Sequence, residues 1–184
     1  MGVASFFMRP WLEAAAFLGV AWINSRRRRY RRHGTPLSAA QRFTLDPFFE
    51  PALLDTIRVC RIPQIEPGLP RGLIRLLRLP ASVDISSASG MAFVDAIVIA
   101  EDRKRPPMSL LFHELVHCVQ YRALGTHRFL RCYLHGWASA GFDYFAIPLE
   151  AQAYELQDRF DAAPDAHFSV DAEVQAELAR LKYL

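Results

Sequence analysis

His113, Glu114 and His117 stand as HELVH within the stretch LLFHELVHCVQYRALG, residues 110–125. On an α-helix, residues four apart project from one face, one turn apart, so both imidazoles can reach a single ion. Glu114 lies on the same side, near enough to hold a water without taking a coordination position. The chemistry this spacing allows is metal-assisted hydrolysis, with His113 and His117 as ligands and Glu114 as the catalytic base. Leu110, Leu111, Phe112, Leu115, Val116 and Val119 make the carrier helix apolar, and a polar stripe on a buried helix needs a reason. Cys118 points about 100° round the helix from His117 and reads as core, because zinc sites that use Cys show paired spacing.

A catalytic zinc takes three protein ligands and leaves a fourth position for water. His127 follows His117 by ten residues, where a metzincin site needs six, so that spacing is excluded. The third ligand is therefore expected on a later helix. Glu150, near the start of IPLEAQAYELQ, is the first choice, with Glu155 and Asp143 as alternatives. Small Ala151 and Ala153 allow that helix to approach closely. An oxyanion donor or second-layer partner is sought among Tyr133, Tyr144, Tyr154 and His135. His33, His127 and His167 read as surface residues.

These side chains need a scaffold, and the order of elements describes an α+β domain with strands first and helices after. Residues 56–62 alternate as a strand ended by Pro63, and residues 91–100 form the clearest strand material. Asp95-Ala96 is either a turn between two short strands or the edge of one interior strand. Asp46-Pro47 offers an N-cap and N1 proline for a short helix, with a restart at Pro51, and a short helix is expected over 71–79. The motif helix runs from Pro107 to Leu124 and Gly125 ends it; further helices are expected over 128–140, 148–160 and 171–184.

The chain has 184 residues, 52% of them hydrophobic, which suits one domain with a sizeable core. The expected division is an N-terminal segment, 1–40, followed by the catalytic domain, 41–184. The net charge of +3 is local, since six arginines lie between Arg26 and Arg32 and the rest of the chain is net negative. Residues 5–23 are too interrupted for a spanning helix, and Glu13 spoils a signal peptide. Trp11, Leu12, Ala15, Leu18 and Trp22 recur at helical spacing, so a helix lying on a membrane or on the protein's own body is expected. The arginines beyond it suit an anionic membrane surface, a solvated basic linker being the plainer reading. Nucleic acid is not expected as a partner, because no recognition module accompanies Tyr30. Cys60, Cys118 and Cys132 form no disulfide framework. The expected location is the cytoplasm, peripheral on the inner face of the membrane.

HELVH followed by Val119-Gln120, and then Pro148-Leu149-Glu150-x-x-Ala153, resembles the gluzincin-type metallopeptidases. It is most similar to the small metallopeptidase domain of bacterial proteins associated with contractile injection systems (the eCIS core domain). Upstream, LDTIRV at 54–59 and SGMAFVDAIV at 89–98 are similar to that domain's early strand and hairpin. The resemblance covers about residues 45–160. It implies a zincin-like fold, with a small antiparallel sheet followed by a helical half that carries the metal site. It further implies one Zn²⁺ on His113, His117 and Glu150, with Glu114 as base, hydrolysing a peptide or protein substrate. Gluzincins often carry Asp four residues after the Glu ligand, bonded to a metal-binding His, where this chain has Tyr154. That departure makes the alternative expectation a catalytically weak or inactive zinc-binding domain acting as a membrane-associated interaction module.

Overall fold

In the computed structural model, residues 10–65, 89–101 and 107–183 are described. Among them the chain forms α1 (Pro10–His33), α2 (Ala39–Leu45), α3 (Pro51–Leu54), β1 (Arg58–Ile62), β2 (Gly90–Phe93) and β3 (Ala96–Ala100). Three helices follow: α4 (Pro107–Ser139), α5 (Pro148–Ala162) and α6 (Val170–Arg180). The fold is α+β. The short helix expected over 71–79 lies outside the described residues.

The sheet has the order β1-β3-β2 and is mixed, not antiparallel as expected. β2 and β3 form an antiparallel hairpin, so Val94 and Asp95 are a turn and not the middle of one strand. β1 lies on the other side of β3 and pairs with it in parallel, Arg58 opposite Ala96 through Ile62 opposite Ala100. A parallel neighbour cannot be reached by a tight turn, and here β2 intervenes in the chain between β1 and β3. β3 is buried along its whole length and reads as a continuous apolar run, as a central strand covered on both faces should.

Two helical layers provide the cover. Ile97 and Ile99 of β3 join the larger core with Leu110, Leu111, Phe112, Leu115 and Val116 of α4. Ala96, Val98 and Ala100 point the other way, into a second core with Ile23 and Tyr30 of α1. The period-two alternation of one strand therefore separates the two sides. The N-terminal helix is the back layer of the sheet, so the expectation of a body-packed helix describes its inner face.

The arginine run is helical throughout, which corrects the reading of a solvated linker. Its anchor is the β2–β3 turn. Arg27 Nε and Nη2 each donate to Asp95 at 2.6 Å, and Arg31 donates to the same carboxylate and to the Thr56 carbonyl at 3.0 Å. The bland linker expected around 33–38 also contains a helix start. Ser38 accepts from the Gln41 backbone N–H at 3.2 Å while the Gln41 side chain accepts from the Ser38 N–H at 2.8 Å. This reciprocal capping box begins α2, so Asp46 is the C-cap of a helix and not the N-cap of one. Pro51 does open a helix, at its N1 position.

Gly125 ends the motif helix, as expected, and α4 is two helices joined across a kink there. The φ of 71° and ψ of 159° at this residue belong to glycine, and the second helix starts at once on the far side. The result is two arms, 107–124 and 126–139. Phe112, next to His113, stacks on Phe160 at 4.4 Å and meets Phe48 and Phe49 edge-on, which fixes the first arm against α5. No described helix is long and apolar enough to cross a membrane.

Candidate metal centre

The first arm of α4 carries His113, Glu114 and His117, and all three side chains are buried. α5 supplies the remaining acid. Pro148 starts that helix and places Glu150 in its first turn, where a carboxylate complements the helix dipole. Gly136 makes the approach possible, since a Cβ there would sit 2.8 Å from Cδ of Pro148. Tyr133, one turn earlier on that face of the second arm, donates from its hydroxyl to Oε1 of Glu150 at 2.8 Å.

The donor atoms converge. Nε2 of His113 and Nε2 of His117 are 3.2 Å apart, and Oε2 of Glu150 is 3.4 Å from each. That oxygen is buried and accepts no hydrogen bond. Donors about 2.0–2.1 Å from a tetrahedral ion lie roughly 3.3 Å from one another, so the spacing and the unpaired oxygen both fit a single metal ion. These three residues form the group found among the described residues that could hold a metal. Glu155 and Asp143 do not join them. Glu155 is exposed, and Asp143 turns its Oδ1 back to the Phe145 N–H at 3.0 Å.

The electrostatics follow from burial and charge. Burial opposes an imidazolium at His117, but the negative charge of Glu150, and then Glu114 and the acceptor on Gln120, outweigh it and raise the pKa to about 9. Burial likewise opposes ionisation of Glu150, and the two histidines overcome it, holding the carboxyl well below its usual range. Tyr133 and Tyr144 are pushed the other way, first by burial and then by the negative charge of Glu150, so both stay protonated donors. Tyr144 is 41% exposed overall, its hydroxyl end being the part sunk toward Glu150.

Of the expected partners, Tyr154 lays its ring against His113, with centroids 4.5 Å apart. His135 is removed from the site. It lies two residues beyond Tyr133, about 200° round the helix, and its Nε2 is 3.3 Å from Oε1 of Glu13 in α1.

Two residues emerge here that sequence reasoning did not assign. Gln120 is fully buried, and its Oε1 lies 2.9 Å from Nδ1 of His117. Its Nε2 donates to the Leu149 carbonyl at 2.9 Å and to Oε1 of Gln152 at 3.0 Å, and Gln152 donates onward to the Glu173 carbonyl at 3.1 Å. An acceptor at Nδ1 selects the tautomer that leaves Nε2 free for a metal. The signal was His117-x-x-Gln120, a helical i,i+3 pair. The second residue is Gly90. A Cβ on it would lie 2.5 Å from Oε1 and 3.0 Å from Cδ of Glu114, so β2 begins with glycine where the Glu114 carboxylate presses against the strand. β2 is the sheet's outer strand on that side, and no described strand covers its far edge.

Comparison with protein-family models, with curated proteins and with solved structures finds no match for this chain.

Proposed function

We propose that the protein is a zinc-dependent peptidase of the gluzincin type, with His113, His117 and Glu150 as ligands and Glu114 as general base. The observation that carries this reading is the convergence of two imidazole nitrogens and an unpaired carboxylate oxygen on one point, beside a buried glutamate that no ligand role requires. His113, His117 and Glu150 would hold a zinc ion, which when bound would supply Lewis-acid polarisation of a carbonyl and acidification of a water. Glu114 accepts the proton from the attacking water and passes it to the leaving amine. The edge of β2 that no described strand covers pairs with an extended substrate, which aligns its backbone beside Glu114. Tyr133 and Tyr144, kept protonated, donate to the Glu150 carboxylate and hold it in place.

A structural site closes its fourth position with protein and has no use for a base, so the geometry favours catalysis over the interaction-module alternative. The test is zinc content and peptide hydrolysis for wild type, Glu150→Ala, Glu155→Ala and Glu114→Gln. About one zinc per chain is expected in wild type, Glu155→Ala and Glu114→Gln, with loss in Glu150→Ala. Hydrolysis should vanish in Glu114→Gln while its zinc remains. A wild type purified without chelators that holds no zinc would overturn the metal site. Hydrolysis that survives Glu114→Gln would overturn the assignment of the base.

A further inference from the structure

The inner face of α1 is accounted for by the sheet and by Asp95, but its outer face is not. Ala14, Phe17, Leu18, Ala21, Ser25, Arg28, Arg29 and Arg32 are all exposed, Phe17 by 72% and Leu18 by 53%. At 100° per residue they fall within a sector about 120° wide, while Leu12, Ala15, Ile23 and Tyr30 occupy the opposite side. The sector contains no carboxylate. Glu13, the helix's acid, is turned to Arg131, whose Nε donates to it at 2.8 Å. Along the axis the sector is apolar at one end and cationic at the other, and Phe17 and Arg32 are separated by about 22 Å.

We infer that this outer face of α1 docks on an anionic lipid bilayer, with the helix lying in the membrane plane. Phe17 and Leu18 enter the headgroup layer while Arg28, Arg29 and Arg32 pair with lipid phosphates. The shape favours a planar partner, because the face is a convex helix surface and offers no groove for a peptide. It disfavours RNA, because Tyr30, the aromatic residue within the arginine run, is turned inward against Phe93 with ring centroids 5.4 Å apart. Arg27 and Arg31 are committed to Asp95 and Arg26 lies over the Trp22 ring at 6.0 Å, so of the six arginines three hold to the body and three face outward. Docking requires neither the metal nor catalysis, so it stands or falls separately from the peptidase reading.

The experiment is co-sedimentation of the 184-residue chain with vesicles of phosphatidylcholine alone and with about 30% phosphatidylglycerol, at low and high salt. Binding is expected to the anionic vesicles only, and to weaken with salt. Arg28→Glu/Arg29→Glu/Arg32→Glu should lower the binding constant about 100-fold or more. Phe17→Ser/Leu18→Ser should lower it about tenfold while retaining salt dependence. Phe43→Ser, which removes an 85% exposed aromatic from α2, should change nothing. Far-UV circular dichroism checks that each variant is folded. Equal binding to neutral vesicles, full binding by the folded triple variant, or tighter binding to single-stranded RNA than to vesicles would each overturn the inference.

Discussion

Gly90 and Gln120 act on the site through their neighbours. Gly90→Ala would put a methyl group 2.5 Å from Oε1 of Glu114, and the flexible carboxylate, not the strand, is what gives way. The expected outcome is a folded protein with unchanged zinc content and turnover reduced about 100-fold, since a misplaced base loses its alignment. Zinc analysis beside kcat measures this, and unchanged turnover would show that Glu114 does not need its place against β2. Gln120→Leu leaves the Leu149 carbonyl and Gln152 short of a donor and His117 short of an acceptor. Zinc affinity should fall 10–100-fold in a chelator competition, and urea denaturation of the metal-free protein should show a loss of about 1–3 kcal/mol. At this scale His113, Glu114 and His117 were legible because their relation is local, fixed by helical period alone. Glu150 was legible because Pro148 marks a helix start next to it. Gln120 was not assigned, because what defines it are partners about thirty residues away. His135 failed for the opposite reason: nothing in the sequence shows which side of the second arm turns toward Glu150.

Elements carry the next level of control, and the turn between β2 and β3 is where they meet. Asp95→Ala removes the shared acceptor of Arg27 and Arg31, whose side chains keep 38% and 35% of their surface exposed. Because those guanidiniums can return to water, the expected loss is modest, about 1–2 kcal/mol in urea denaturation. Limited proteolysis should cut first within α1, and an unchanged cleavage pattern would mean that apolar packing alone seats the helix. The elements that misled the sequence reading share a cause. Gly34 and Pro36 suggested a linker and hid the Ser38–Gln41 capping box, whose pattern was present. The parallel partnership of β1 with β3 could not be read, because β2 intervenes in the chain between them. Gly125, by contrast, was read as the end of the motif helix, and its non-helical φ and ψ do break the helix there; only the immediate start of the next helix was not foreseen.

For the whole molecule, the metal site is also a titratable load on folding. His117 is raised from 6.5 to about 9 in the metal-free protein. Its pairing with Glu150 therefore contributes stability in full below pH 6.5 and loses it as pH rises through about 9. Zinc and that proton compete for the same nitrogen. Calorimetry in buffers of different ionisation enthalpy should show about one proton released per zinc bound near pH 7, declining toward none above pH 9, with affinity rising over the same range. Release that does not vary with pH would remove His117 from the ligand set. The α+β class and the helical half were legible from the order of strands and helices. That α1 forms the back of the sheet was only half visible, because its periodicity showed an apolar face without naming what it covers.

The order of those layers sets a reach. α1 lies behind the sheet and the first arm of α4 lies in front of it. With neighbouring layers about 10 Å apart, a molecule resting on α1 would hold His113, Glu114 and His117 roughly 20 Å from the plane of contact. An extended chain advances about 3.3 Å per residue, so a tail emerging from the same bilayer is out of range until about six residues have cleared it. Shortening a tethered substrate below that length should protect it, while the same peptide free in solution is cut.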